Sequence, residues 1–241
     1  AWHVNADIAA AFERYRVVTG DQSLEAECGL EVLVETARLW ISVGHHDRHG
    51  VWHIDGVTGP DEYTAVVRDN VFTNLMAAHN LRTAAEASAR HPDAARLLGV
   101  STEEMAAWRD AAGAVHVPYD AELGVHPQCE GFTTLSEWDF EAGQGRYPLL
   151  LHAPYVRLYP AQVIKQADLV LAMQWQPHAF TAEQKARNVD YYERRTVRDS
   201  SLSACSQAVM CAEVGHLGLA HDYAYEAAVI DLKDLHQNTK D

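Results

Sequence analysis

Residues 56–63 read GVTGPDEY and separate long segments whose apolar residues recur at helical spacing. The glycines and Pro60 exclude a helix here, because proline lacks the backbone donor and glycine favours turns. Two adjacent carboxylates, Asp61 and Glu62, follow the proline. A rigid loop that fixes the direction of a carboxyl group suits acid–base chemistry. An ordinary turn with two solvated acids is the alternative that this stretch alone leaves open.

The segments on both sides of this loop predict helices, since their apolar residues recur at i, i+4 and i+7. The predicted helices span residues 2–18, 21–43, 72–90, 101–112, 161–174, 181–192, 200–215 and 218–230. A short strand is predicted between the glycines at 50 and 56. Short turns alternate with long loops, above all residues 113–160. This pattern favours an all-α protein of helical hairpins, arranged as an α/α toroid or barrel with its site at the long-loop end.

The composition narrows the classes of partner. With 241 residues, 48% of them hydrophobic, the chain can bury a substantial core. Its formal charge of −15 argues against nucleic acid or an anionic membrane surface as a partner, because both require a basic face. A neutral ligand such as a sugar is compatible with this charge, and an anionic one would need local cations.

The cysteines bear on the cellular compartment, and the chain ends bear on whether this sequence is part of a longer protein. The four cysteines stand far apart without a CxxC pair, which is typical of free thiols in a reducing compartment such as the cytoplasm. No apolar run reaches membrane-spanning length. The chain starts without methionine inside an amphipathic segment, and we interpret it as a fragment of a longer protein.

Four histidines near the loop, His45, His46, His49 and His53, raise the question of a metal site. His45 and His49 have i, i+4 spacing, which brings two ligands together only on a helix. Because glycines flank the group, a surface loop is the preferred interpretation and no metal site is predicted.

Two further segments carry polar residues at notable places. Lys165 and Gln166 interrupt the apolar helix predicted over 161–174, and they either extend to the surface or point into a cavity where they bind sugar hydroxyls. Ser200 and Ser201 stand at the start of the helix predicted over 200–215. They are ordinary capping residues or, with nearby arginines, an anion site.

An aromatic stretch, GFTTLSEWDF at residues 131–140, lies within the long loop region. It serves either as a stacking platform for a sugar ring or as a hydrophobic plug that packs the loop down. The plug is the slightly favoured interpretation.

Taken together, these strings resemble glycoside hydrolase family 65. The matching strings, in chain order, are GVTGPDEY, DNxFTN, VIKQADLVLAM, YYExRT and DSSLS. The family contains maltose, trehalose and kojibiose phosphorylases together with some hydrolases. The resemblance implies an (α/α)6 barrel, of which residues 1–241 would form the central part of the catalytic domain.

The resemblance also implies roles for individual residues. Glu62 corresponds to the general acid that protonates the glycosidic oxygen, and Lys165 and Gln166 match the pair that lines the glucose subsite. Asp61 is expected either to bind substrate or to orient the loop. The family is inverting, so one protonated carboxyl and an anion site opposite it suffice, without a cofactor beyond inorganic phosphate as co-substrate. For that anion site we name Arg198, Ser200 and Ser201.

Three positions depart from the family pattern. Val71 replaces an asparagine, Arg194 a proline and Arg198 a histidine. Because Arg198 lies beside the expected anion site, three functions stay open. The first is inverting phosphorolysis of an α-glucosyl disaccharide to β-glucose 1-phosphate. The others are hydrolysis of trehalose or a related α-glucoside, and carbohydrate binding without catalysis. An incomplete toroid also predicts self-association or association with the rest of the barrel.

Overall fold

Helices dominate the computed structural model, which describes residues 1–141, 148–197 and 200–235. The chain divides into two units, the first made of Ala1–Val57 and Val66–Val117, the second of Thr58–Ala65 and Pro118–Asp241. The loop with the two carboxylates belongs to the second unit. Among the described residues, no helix combines the length and the apolar character that crossing a bilayer requires.

The first unit is built on one central helix, α3. Its α-helices are α1 (Val4–Thr19), α2 (Leu30–Val43), α3 (Val71–Arg90), α4 (Pro92–Leu97) and α5 (Thr102–Ala114). A π-helical turn, Glu25–Gly29, precedes α2, and strands β1 (Gly44–His46) and β2 (Trp52–Ile54) form an antiparallel hairpin. Helix α3 contacts α1, α2 and α5 and is buried along most of its length, so its small and apolar residues form the centre of this core.

Two contacts show how the sequence fixes this unit. The indole N–H of the buried Trp40 on α2 donates to Asn80 Oδ1 on α3 at 2.9 Å, which satisfies both polar groups inside the core. Ser101 accepts the backbone N–H of Glu104 at 3.1 Å and so caps α5, as its sequence predicts.

The predicted strand and the histidine group lie in the β-hairpin. Strand β2 covers three of the residues that were predicted to be extended, and His45 of β1 pairs with His53 of β2. His45 and His49 therefore lie on a strand and in the turn that follows it, where i, i+4 spacing does not bring two side chains together.

The second unit holds four longer helices after a region of short elements. The longer helices are α7 (Asp168–Trp175), α8 (Ala182–Glu193), α9 (Ser203–Glu213) and α10 (Leu217–Val229). The short elements are strands β3 (Ser136–Glu137) and β4 (Ala161–Gln162), which pair in parallel, helix α6 (Tyr155–Leu158), and 3₁₀ turns at Phe132–Thr134, Leu149–Leu151 and Pro177–Ala179. Helix α9 packs on α7, α8 and α10.

The aromatic stretch packs inward. Trp138 and Phe140 lie against a buried cluster that contains Tyr63 of the carboxylate loop, Leu158 and Val163. This contact supports the plug interpretation, because burying Trp138 and Phe140 holds down the loop region that would otherwise be solvated.

The helix predicted over 161–174 is wrong in its first half. Residues 161–162 form β4, and α7 begins only at Asp168. The reason is a backbone pairing: Ile164 N–H donates to the Arg195 carbonyl at 3.0 Å, and Val197 N–H donates back to Ile164 at 2.9 Å. Lys165 and Gln166 consequently lie in a bend before α7 and not in a helix.

Candidate active site

The carboxylate loop is organised around Asp61, which is fully buried at 0% exposure. Its Oδ1 accepts the backbone N–H groups of Lys165 at 2.9 Å and Tyr63 at 3.2 Å. Its Oδ2 accepts the Thr64 hydroxyl at 2.7 Å and the Gln128 amide at 3.0 Å. Four donors therefore hold one carboxylate between the loop and two distant segments.

A second buried carboxylate anchors the same loop. Asp168, at the start of α7 and 0% exposed, accepts the backbone N–H of Asp61 through Oδ1 at 2.6 Å. The loop backbone is thereby tied to the residue that begins the helix, 107 positions along the chain. Together Asp61 and Asp168 fix both the position and the direction of the loop.

Burial governs the electrostatics here. Desolvation raises the pKa of Asp61, while the bonds from Thr64, Gln128 and the Lys165 N–H oppose that change. The pKa of the neighbouring thiol, Cys129, is also raised, first by burial and then by the charges of Asp168 and Asp61. Cys129 is thus a neutral, buried group rather than a reactive one.

One of the two expected roles of Asp61, binding substrate, would require a change in these contacts. Both of its oxygens accept bonds from protein groups, and no part of the residue reaches solvent. A sugar hydroxyl would have to displace one of these donors. The geometry fits the other expectation, that Asp61 orients the loop.

Glu62 differs from Asp61 in its exposure to solvent and in its hydrogen-bond partners. Its side chain is 58% exposed, and one oxygen, Oε2, lies 2.5 Å from the ammonium of Lys165. Among the described residues, Lys165 is the partner with which the Glu62 carboxylate forms a hydrogen bond. The loop therefore presents one accessible carboxyl group, held on one side by a cation.

Gln166 connects the loop to the segment before α9. Its amide donates to the Pro60 carbonyl at 2.6 Å and its Oε1 accepts the Ser200 hydroxyl at 2.9 Å. The adjacent Ser203 hydroxyl donates to the Lys165 carbonyl at 3.1 Å. The structure thus brings Glu62, Lys165, Gln166 and Ser200 together, although more than 100 residues separate the first two.

Two of the three residues expected to form an anion site, Ser200 and Ser201, lie among the described residues. Ser200 and Ser201 lie in the turn that precedes α9, which begins at Ser203 and not at residue 200. Ser200 bonds to Gln166, and Ser201 is exposed. Arg198 lies outside the described residues.

Three residues of this site were not predicted: Thr64, Gln128 and Asp168. Asp168 stands inside the KQAD string, but the spacing gave no sign that its carboxylate reaches back to the loop. Gln128 lies in the aperiodic region 113–160, where no sequence signal marks a partner for Asp61. Asp61, Thr64, Gln128 and Asp168 form a buried hydrogen-bonded cluster, the polar node, only when the fold brings these segments together.

The arrangement can deliver a proton to a ligand in front of Glu62. One exposed carboxyl stands on a loop whose neighbours are locked by buried bonds, and an ammonium and a hydroxyl lie nearby to bind sugar hydroxyls or an anion. A positioned acid of this kind suits cleavage of a glycosidic bond.

Comparisons with known proteins agree with this chemistry. The family model described as the glycosyl hydrolase family 65 central catalytic domain matches residues 1–241. The chain is 83% identical to an uncharacterized glycosyl hydrolase of Mycobacterium tuberculosis (strain H37Rv) over 241 residues, which are 100% of this chain and 30% of that protein. It is 43% identical to the α,α-trehalose phosphorylase of Geobacillus stearothermophilus, covering 100% of this chain and 32% of that protein.

A solved structure shows the same fold. The putative kojibiose phosphorylase from human microbiome superposes with a TM-score of 0.88 at 26% identity, over 98% of this chain and 36% of that one. The predicted class, all-α hairpins of the (α/α)6 type, is confirmed. The chain spans about a third of the length of the relatives that it matches, with 30% of the mycobacterial protein as an example. The resemblance inferred from the sequence strings is confirmed: this chain belongs to glycosyl hydrolase family 65 and matches its central catalytic domain.

Proposed function

We propose that the protein containing this chain is an inverting phosphorylase of an α-glucosyl disaccharide. In the proposed reaction Glu62 donates a proton to the glycosidic oxygen, and phosphate attacks the anomeric carbon from the opposite face. The bond to the leaving sugar breaks as the bond to phosphate forms, and the product is β-glucose 1-phosphate. The observation that carries the proposal is the single accessible carboxyl of Glu62 on a loop fixed by Asp61 and Asp168.

Lys165 has two successive roles in this proposal. In the ligand-free chain its ammonium contacts the Glu62 carboxylate. When a glucosyl unit binds, its hydroxyls compete for that ammonium. The Glu62 carboxylate, released from Lys165, takes up a proton from solvent and then donates it to the glycosidic oxygen. Gln166 has spare hydrogen-bonding capacity on both amide atoms, so it can bind the same glucosyl unit while it keeps the loop tied to Ser200.

The carboxylates favour phosphorolysis over hydrolysis. An inverting hydrolase needs a second carboxylate to activate water. Asp61 and Asp168 are two carboxylates that hold this loop, and both are 0% exposed and already hydrogen-bonded. Neither is placed to contact a water in front of Glu62, which supports an external nucleophile such as phosphate.

Trehalose is the substrate that we propose to test first. The relatives named as trehalose phosphorylases are 43% and 37% identical to this chain, whereas those named as kojibiose phosphorylases are 32% or less. None of the four cysteines, all within the described residues, forms a disulfide, which is consistent with our proposal that the protein works in the reducing cytoplasm.

The test is a screen of the full-length protein against trehalose, kojibiose, maltose and nigerose, each with and without phosphate. Phosphorolysis predicts sugar release that requires phosphate and yields β-glucose 1-phosphate, whose anomeric configuration is read by proton NMR. Sugar release that is independent of phosphate would identify a hydrolase instead. Absence of turnover on all four sugars would favour a carbohydrate-binding role without catalysis.

A further inference from the structure

A second site lies on the C-terminal half of α8, away from the contacts that fix the Glu62 loop. An open cavity of about 480 Å³ is lined there by three arginines, Arg187, Arg194 and Arg195, together with Tyr191. Cavities of this size accommodate small organic ligands. We name it the arginine cavity after these three residues.

One of the three arginines is already committed to the protein. Arg195 donates to Gln162 Oε1 at 2.9 Å and to the Tyr191 carbonyl at 2.9 Å, and it also pairs with Glu137. Its guanidinium lies 3.7 Å from the centre of the Tyr191 ring. Arg195 therefore forms a rigid wall of the cavity and is not available as the main ligand-binding cation.

The other two arginines form no close ion pair within the described part of the chain, and the acid whose pKa the charge of Arg187 lowers is the exposed Glu183, one turn earlier on α8. Among the residues that the structure describes, no carboxylate lies within ion-pair distance of Arg187 or Arg194. Arg187 donates through Nε to the Gly124 carbonyl at 2.7 Å, and this bond leaves its two terminal nitrogens available to a ligand. In a chain with a formal charge of −15, two unpaired cations on one cavity are notable, because carboxylates outnumber cations elsewhere.

Asp190, an acid beside these arginines, forms no close ion pair with Arg187 or Arg194 within the described residues. Asp190 lies three residues after Arg187 on α8, a spacing that normally allows an ion pair. Its Oδ1 instead accepts a hydrogen bond with the His216 ring at 3.1 Å. Asp190 and Glu137 are exposed at the rim of the cavity, where their remaining lone pairs can accept hydroxyl groups.

The helix terminus alone does not account for this arrangement. A cation at the last turn of a helix is stabilised by the helix dipole, which suffices to explain Arg194 at the C-terminal cap of α8. Arg187 stands nearly two turns further inside, yet it lines the same cavity. Two guanidinium groups and two carboxylates line this cavity, and this combination suits a ligand that carries both an anionic group and hydroxyl groups.

We propose that the arginine cavity binds a hexose phosphate. The phosphate would bind Arg187 and Arg194, whose planar forks suit tetrahedral oxyanions, and the sugar hydroxyls would bind Asp190 and Glu137. The site is distinct from the Glu62 loop, since its binding groups come from α8 and β3. It is nevertheless connected to that loop through Gln162, which bonds Arg195 and stands three residues before Lys165.

The test is isothermal titration calorimetry on the full-length protein with glucose 6-phosphate, a hexose phosphate that the proposed reaction does not make. The double variant Arg187→Gln/Arg194→Gln should bind it at least about tenfold more weakly, because charge-assisted bonds are lost. The matched control Arg48→Gln/Arg96→Gln removes two exposed arginines outside the cavity and should bind like the wild type. Arg194→Glu, at a side chain without a partner among the described residues, should also weaken binding and guards against misfolding of the double variant.

Three results would overturn the proposal. The first is equal affinity in wild type and double variant, and the second is no binding to wild type at about 10 mM ligand. The third is competition with phosphate in the phosphorolysis assay at an inhibition constant equal to the calorimetric Kd, which would place the ligand at the catalytic site. The calorimetry needs no turnover, so a failure of the proposed phosphorolysis would leave this test intact.

Discussion

Asp61 Oδ1 accepts the backbone N–H of Lys165 at 2.9 Å. Asp61, the residue before the proposed acid Glu62, therefore fixes the position of Lys165, whose ammonium contacts Glu62. Replacing Asp61 by Ala removes the acceptor of four donors, two of them backbone N–H groups. Because unsatisfied buried donors are costly, we expect the free energy of unfolding to fall by about 3–5 kcal/mol. Urea denaturation of the full-length protein measures this.

The conservative variant Asp61→Asn sharpens the interpretation. Its side-chain carbonyl can keep the two backbone donors. Its amide can donate to Gln128 Oε1, a buried atom without a hydrogen-bond partner among the described residues, once the Gln128 amide turns over. We expect Asp61→Asn to lose less than about half of the stability that Asp61→Ala loses. An Asn variant as unstable as the Ala variant would show that the charge itself, rather than the acceptors, holds the loop.

Glu62→Gln tests the proposed acid. The amide keeps the shape of the side chain but cannot donate a proton at a useful rate, so we expect kcat of the full-length protein to fall by at least about 100-fold with little change in KM. Glu141→Gln, at another exposed glutamate of the same unit, is the matched control and should retain activity. Near-normal turnover by Glu62→Gln would refute the assignment.

Lys165→Met tests whether the contact with Glu62 serves function or stability. The Glu62 side chain is 58% exposed, and exposed ion pairs contribute about 0–1 kcal/mol to stability, so unfolding should change by no more than that. Activity should fall by at least about tenfold with an increase in KM, because a hydrogen-bond donor to the glucosyl unit is lost. A double-mutant cycle with Glu62→Gln on both readouts separates the two roles. Strong coupling in stability and none in activity would contradict the functional interpretation.

The sequence predicted what depends on local rules. The capping residues Ser101 and Thr181 place the starts of α5 and α8 because their bonds involve residues only three positions away. The start of α7 was missed, since it depends on pairing of Ile164 with a segment more than 30 residues later. Local helical spacing cannot reveal such pairing.

The candidate site likewise contains residues that the sequence predicted and residues that it did not. Glu62, Lys165 and Gln166 were named from strings that resemble a family, and periodicity alone left their roles open. The node of Asp61, Gln128 and Asp168 was not predicted, because its bonds join residues 67 and 107 positions apart. A buried polar node of this kind depends on which segments the tertiary fold brings together, and no local pattern records that.

Glu25 provides a prediction for acid stability. This residue lies in the π-helical turn at 2% exposure and binds Arg90 through two nitrogens at 3.0 and 3.1 Å, with His91 at 3.0 Å and Arg16 at 3.2 Å. Burial would raise the pKa of Glu25, but the bonds from Arg90 and His91 outweigh it and hold the pKa below its ordinary value of 4.5. Its stabilising contribution is therefore complete above that value and is lost as the pH falls through the lowered pKa.

We expect Glu25→Gln to destabilise the protein by about 2–3 kcal/mol at neutral pH, because it leaves partly buried cations without their counter-ion. The difference from the wild type should shrink as the pH falls below 4.5 and through the lowered pKa of Glu25, since the wild-type carboxylate then becomes protonated. Urea denaturation across this pH range measures it. Glu86→Gln, at an exposed partner of the same Arg90, is the control and should cost less than about 1 kcal/mol. A difference that does not depend on pH would refute the role of the ionised carboxylate.

Gly44 is the position where packing leaves no room for a side chain. A Cβ there would lie 2.1 Å from the ring of Trp52, which is 1% exposed and cannot move aside without disturbing the core. We expect Gly44→Ala to destabilise the protein by about 1–3 kcal/mol through overpacking. Gly113→Ala is the matched control, because that glycine lies in α5 with no atom near the added methyl group and should gain about 0.5–1 kcal/mol. Thermal unfolding should therefore move the two midpoints in opposite directions, and a neutral or stabilising Gly44→Ala would show that the hairpin can shift away from Trp52.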